Sequence, residues 1–191
     1  MSQRLAGTGQ IAVLDVDTDE TRIKLLSLSP TTDDPQEERR VSQHRTVYLT
    51  RPDAGAVLMN HQPWASALAQ SGPGMPGIFD EQIRHLGSTV AVLDYSAVNV
   101  INCAFLDTGA NAYVLNQHVL CLGMTLDRLV FNAELLEKCA KAFILATSTG
   151  KPVGRIPWLV RWIANGRLMK DERHSARQYA AGQTPVFKSA Y

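Results

Sequence analysis

The stretch Ala56–Leu68, AVLMNHQPWASAL, ends a short apolar run in Met59-Asn60-His61 and then opens a helix at Pro63. An imidazole delivered at a strand end, just ahead of a helix, can ligate a metal or move a proton. The same place also suits a histidine with no chemical task. Residues i and i+2 of a strand share one face. The stretch raises the question why Met59 sits where a second histidine would complete a metal site with His61. A thioether at that point is a soft donor and suits zinc or magnesium poorly. A second polar group, Asn116-Gln117-His118, separates two apolar runs further along. Trp64 follows the His61 turn and is placed to line a pocket or to pack in the core. Tyr191 ends the chain, a free phenol or a tail residue.

The elements around these residues read as follows. Ile11–Val16 and Arg22–Ser27 alternate as strands, with a polar turn over residues 17–20. Pro30–Glu38 reads as a loop. Val41, His44 and Tyr48 recur at helical spacing within Glu38–Leu49, and Arg51-Pro52-Asp53-Ala54-Gly55 ends that helix. Ala56–Met59 is a strand, Pro63–Ala69 a helix with Pro at its first position, and Ser71–Gly77 a loop. Phe79–Leu86 reads as helix and Thr89–Leu93 as strand, while Val98–Leu106 fits either. Ala110–Leu115 and Val119–Leu122 are apolar strands. Thr125–Thr147 is a long helix with Thr125 as cap and a broad apolar stripe, stopped by Gly150 and Pro152. Trp158–Ala164 and Asp171–Ala181 read as two further helices. Short connections and adjacent strands predict an α/β fold of α+β type, with a mixed or antiparallel sheet in a single domain spanning residues 1–191.

Composition narrows the function. A net charge of +1 and the lack of a basic stripe argue against nucleic acid as partner. No apolar run approaches roughly 18 residues, so no membrane span is expected. Cys103, Cys121 and Cys139 form no CxxC pair and lie in apolar segments, so they read as small buried hydrophobes. With no apolar leader in MSQRLAGTGQ, the expected compartment is the cytoplasm. GTGQ at Gly7–Gln10 matches neither nucleotide fingerprint.

Several segments together resemble the class II aldolase/adducin family. YLTRPDAGAVLMNHQPWASAL is similar to that family's segment in which a helix ends in Tyr-x-x-Arg-Pro-Asp and a strand with His-x-His follows. Tyr48, Arg51, Pro52, Asp53, Ala56 and Val57 fall in place, and His44 matches a histidine often seen on that helix. GANAYVLNQHVLCLGMTLDRLVFNAELLEKCAKAFILA resembles the later segment, where a strand ends in Arg-Asn-His-Gly and a long helix carries a Leu-Glu pair. Gly109, Asn116, Gly123, Thr125, Leu136 and Glu137 fit it. FDEQIRHLG at Phe79–Gly87 looks like a segment of one branch. The chain resembles a divergent, N-terminally short member.

The resemblance implies a largely antiparallel central sheet flanked by helices, commonly in tetramers with sites at subunit boundaries. It implies three histidines on a divalent metal, zinc or iron, that polarises a substrate carbonyl while a carboxylate moves the proton. Here the first ligand position holds Met59 and the second His61. An ungapped match puts Gln117 at the third, and a one-residue shift puts His118 there instead. The carboxylate position falls on Arg40, with Glu37 and Glu38 beside it. LAGTGQIAVLD only faintly resembles the family's phosphate-cradling turn, so phosphosugar binding is poorly supported. The resemblance also makes Tyr191 a candidate proton donor to a neighbouring subunit's site. His85 reads as a surface or packing histidine and His174 as a solvated one.

Two functions follow. One is an aldolase-like lyase or isomerase with an altered metal site, acting on a small carbonyl-bearing substrate. His61, Gln117, His118 and Tyr191 would be catalytic, Met59, Asn60 and Trp64 would touch substrate, and the site would work either with no metal or with zinc or iron on His61 and His118. The other is a non-catalytic, adducin-like binding or assembly protein. Polar residues at two strand ends favour the enzyme.

Overall fold

Strict alternation of side chains builds the centre of the molecule. In a computed structural model, which describes residues 1–16, 21–29, 39–94 and 103–187, eight strands form one sheet. They are β1 (Ser2–Leu5), β2 (Gln10–Val16), β3 (Thr21–Ser27), β4 (Ala56–Asn60), β5 (Gly74–Pro76), β6 (Thr89–Leu93), β7 (Ala112–Leu115) and β8 (His118–Gly123). Their order is β3-β2-β1-β4-β8-β7-β6-β5. Every pairing is antiparallel except β6 with β7. This is the mixed, largely antiparallel sheet that the sequence predicts.

Both faces of the central strands are buried, which is why Ala56–Met59, β7 and Val119–Leu122 are apolar without a break. Ala56, Leu58, Ala112, Val114, Val119 and Cys121 face one core. Val57, Met59, Tyr113, Leu115, Leu120 and Leu122 face the other. The first core is closed by α2 (Pro63–Ala67) and α4 (Leu126–Thr147), the second by α1 (Arg39–Thr50) and a 3-10 turn over Ala104–Thr108. Thr125 caps α4 by accepting a hydrogen bond from the Arg128 amide at 3.2 Å. α3 (Asp80–Leu86) packs between α4 and α5 (Trp158–Ala180). Gly55 is where these layers close most tightly: a Cβ there would overlap the Tyr179 hydroxyl and the Met124 carbonyl.

Two expectations are corrected, and one strand is added. Ser71–Gly77 is not all loop, because Gly74–Pro76 pairs with β6 as an edge strand. An edge tolerates Pro76, whose missing N–H would break a central ladder. Trp158–Ala164 and Asp171–Ala181 are parts of one continuous helix. Gly166 in its middle costs about 1 kcal/mol relative to alanine, and burial of Ala164 and Leu168 offsets it. Ser2–Leu5, which carries no clear strand signal, is an interior strand held between β2 and β4. The predicted loop at residues 30–38 lies outside the described residues, as does the part of Val98–Leu106 before residue 103.

Candidate active site

β4 and β8 run antiparallel, with Met59 opposite Leu120 and Asn60 opposite Val119. One further step along both strands reaches His61 and His118. Both are exposed, His61 in the loop after β4 and His118 as the first residue of β8. The register thus aligns two imidazoles at the same end of the central strand pair. Asn116 and Gln117 form the turn between β7 and β8. Asn116 adopts φ 56°, a left-handed conformation that asparagine tolerates better than most residues. Gln117 is exposed in that turn. His118 is paired with Leu115 and belongs to the strand, a position that the sequence alone left to a choice of alignment.

Met59 is half-buried and packs against the core that contains Tyr48 and Leu120. A resident zinc takes three or four nitrogen, sulfur or carboxylate donors. Among the described residues no three His, Cys, Asp or Glu side chains gather in a metal-holding group. The donors that these strand ends bring together are two imidazoles, His61 and His118, and the soft thioether of Met59. Tyr191, Glu37 and Glu38 lie outside the described residues, and the side chain of Arg40 is likewise not described.

On the other face of β4 an open groove of about 760 Å³ runs between the His61 loop and α4. Trp64, half-buried, forms one wall with Leu58. Glu137 on α4 positions this loop. Its two carboxylate oxygens accept hydrogen bonds from the Trp64 and Ala65 amides, each at 2.9 Å, and so satisfy the otherwise unpaired start of α2. The side-chain oxygens of Asn60 and Gln62 are buried here without a hydrogen-bond donor among the described residues. Lys141 lies 5.6 Å from the centre of the Trp64 ring.

The remaining matched positions carry structure. The Arg51 guanidinium is bidentate to Asp53 at 2.8 Å and also reaches Glu172, Asn111 and the Ala110 carbonyl. Arg51, Asp53 and Glu172 are only 5%, 6% and 8% exposed, so this junction is dry. Burial alone would lower the Arg51 pKa, but the hydrogen bond to Asp53 and the two carboxylate charges hold it above its usual value. Burial pushes Glu172 up to about 8, Arg51 offsets this only in part, and the Asp53 charge adds to the rise. Burial thus favours the protonated form of Glu172 even with the Arg51 cation beside it. The sequence reading set His174 among solvated charges and missed Glu172. Its signal was there: Ala164, Leu168, Glu172 and Ser175 recur at i+4, i+4 and i+3, the buried face of α5.

His44 is buried on α1, with Nδ1 2.6 Å from the Ser2 hydroxyl, which in turn lies 3.0 Å from the Tyr48 hydroxyl. His85 packs edge-on to Phe131 with ring centres 4.9 Å apart, and burial, with Arg128 and Arg84 nearby, lowers its pKa to about 4. It is a neutral packing histidine. His174 is exposed, as expected. Cys121 and Cys139 are buried thiols and Cys103 is half-buried. The glycine turn after β1 lies at the Gly55 end of β4, since the Arg4 amide donates to the Gly55 carbonyl. That is the end opposite His61, so the turn does not join this site.

The sheet order, the motif positions and the His61 strand end point to one family. The family model described as class II aldolase and adducin N-terminal domain matches residues 5–144, and the chain belongs to this family. Its fold is shared by an L-fuculose 1-phosphate aldolase, with TM-score 0.71 and 21% identity over 88% of this chain and 84% of that one. YgbL from Escherichia coli matches with TM-score 0.66 and 19% identity over 86% and 85%. An aldolase II superfamily protein from Pseudomonas syringae matches with TM-score 0.65 and 18% identity over 96% and 83%. Comparison with curated proteins finds no match. Class II aldolases generally use a divalent metal, and members of the family are often oligomeric and act on small molecules. No helix among the described residues is long and apolar enough to cross a membrane.

Proposed function

We propose that this single-domain chain is a divergent class II aldolase-type enzyme, a lyase or isomerase acting on a small carbonyl compound. The alignment of His61 and His118 by the β4–β8 register carries this reading. In it, His61 moves a proton next to the substrate carbonyl. His118 and the Gln117 amide hydrogen-bond the oxygen that gains charge, a role worth several kcal/mol when donors are fixed in place. Met59, Asn60 and Trp64 bound the substrate, and Tyr191 supplies a proton from a neighbouring subunit. The reading includes a cytoplasmic homo-oligomer, a tetramer by resemblance, and a site altered at the family's metal ligands.

The test is solvent-deuterium exchange into dihydroxyacetone and glycolaldehyde, followed by NMR, with protein purified without chelator and assayed for bound metal. Exchange that falls about 100-fold or more in His61→Ala supports the reading, as expected for a lost general base. Exchange that is unchanged in that variant, or absent from the wild type, overturns it. Stoichiometric zinc or iron would overturn the altered-site part. The packing of Met59 into the core favours a second reading, an adducin-like assembly protein in which this strand end does no chemistry. Undetectable exchange in an intact oligomer would support it.

A further inference from the structure

The two sides of α5 carry opposite chemistry. Its only carboxylates, Asp171 and Glu172, are turned into the protein, Asp171 paired with Arg84 and Glu172 buried against Arg51. Ala164, Leu168 and Ser175 are buried on the same side. A helix turns about 100° per residue, so Leu159, Trp162, Ile163, Lys170, Arg173 and Arg177 share the opposite side, and all of them are exposed. Trp158 and Trp162 are 71% and 70% exposed, and Leu159 and Ile163 are 50% and 44% exposed. With aromatic side chains of this size the stripe offers roughly 500 Å² of apolar surface, the upper range of what a monomer leaves uncovered.

Charge selects the partner. The apolar side chains fill the first turns of α5, and cations stand on either side of them: Lys151 and Arg155 before the helix, Lys170, Arg173 and Arg177 further along it. No exposed residue between 151 and 180 is acidic. Asp80 and Glu81 approach one flank, in a cleft that Val160 and Ile163 share, but Arg84 and Arg167 line the same cleft and balance them. The net charge of +1 is an average over the whole chain and hides this face. Indoles and aliphatic side chains bordered by lysine and arginine suit an anionic lipid surface. The indole rings settle at headgroup level, where one edge is apolar and the N–H is wet. Leu159 and Ile163 reach the acyl boundary, and the cations meet the phosphates. A nucleic acid would stack on the indoles but would leave Leu159 and Ile163 without an apolar partner. Such a contact needs no spanning helix, since α5 lies flat on the surface.

We infer that the exposed face of α5 is a peripheral docking surface for a membrane rich in anionic phospholipid. It uses no residue of the strand-end site and is independent of the chemistry proposed there. The experiment is co-sedimentation of the full chain with vesicles of phosphatidylcholine, either alone or mixed equally with phosphatidylglycerol. The variants are Trp158→Ser/Trp162→Ser and, separately, Lys170→Gln/Arg173→Gln/Arg177→Gln, all at exposed positions. Circular dichroism confirms folding and light scattering gives the mass of each. Wild type should sediment with the anionic vesicles and stay in solution with the neutral ones. The tryptophan variant should lose at least about tenfold in partition. The charge variant should lose about 100-fold, since each cation near such a surface contributes about fivefold. Wild type that stays in solution with the anionic vesicles would overturn the proposal. So would equal partition onto neutral vesicles, or partition that either folded variant leaves unchanged. A tryptophan variant of lower mass than wild type would show that another copy covers the stripe, which also overturns it. Binding to an oligonucleotide that is tighter than to vesicles, and lost in both variants, would assign the face to nucleic acid instead.

Discussion

Two polar clusters flank β4, a strand of five residues and so about 17 Å long. Before it, Arg51 and Asp53 meet Asn111 and Glu172 in a dry junction where the guanidinium reaches several partners. After it, His61 and His118 stand exposed at the sheet's end. The same family segment supplies the first members of both clusters. The difference shows how a motif divides its labour. The buried half ties α5 and the β7 entrance to the turn before β4, and Ser175 strengthens the tie by donating to the Asp53 carbonyl at 2.7 Å. The open half places its imidazoles at the surface, where His61 and His118 are exposed.

Arg51→Met tests that division most severely. It leaves two buried carboxylates and a carbonyl without their cation, and should lower stability by about 3–5 kcal/mol in urea unfolding. A loss below about 1 kcal/mol would mean that the junction is not structural. Next comes pH. Glu172 titrates near 8 when folded, against an ordinary value of 4.5. The folded state therefore holds the extra proton between those values. This contribution is fully present below pH 4.5 and is lost as pH rises through about 8. The unfolding free energy of the wild type should fall across this window by an amount on the order of a few kcal/mol, and Glu172→Gln should flatten the slope. An unchanged slope would place the proton elsewhere. Glu137→Ala should cost about 1–2 kcal/mol by freeing the two amides at the start of α2. In the same assay His61→Ala should move stability by no more than about 0.5 kcal/mol, as expected of an exposed side chain. A larger loss there would erase the contrast between the two ends of β4.

Much of this was legible in the chain. The helix at Thr125–Thr147 announces itself by its cap and its apolar period, and the structure places α4 over Leu126–Thr147. The strands at Ala56 and Thr89 are short apolar runs that reappear as β4 and β6. β1 and β5 were missed because their pairing is non-local, and Ser2–Leu5 and Gly74–Pro76 carry little strand propensity of their own. The break expected in α5 between Ala164 and Asp171 begins at Asn165-Gly166, where local propensity is poor and tertiary burial decides. At the site, His61, Gln117 and His118 were recognisable as chemistry-bearing residues. Glu172 was not, since a carboxylate between Asp171 and Arg173 looks solvated until α5 is docked.

The sequence by itself determined the family, the largely antiparallel sheet and the residue types at the strand ends, because period-2 alternation and short motifs are local properties of a chain. Only the tertiary structure decided which residues meet. The β4–β8 register set His118 in line with His61 and left Gln117 to the turn. The docking of α5 made Glu172 a buried partner of Arg51 while leaving Trp158 and Trp162 uncovered. Register and docking depend on contacts between residues far apart in the chain, and those contacts exist only once both cores have closed around the sheet.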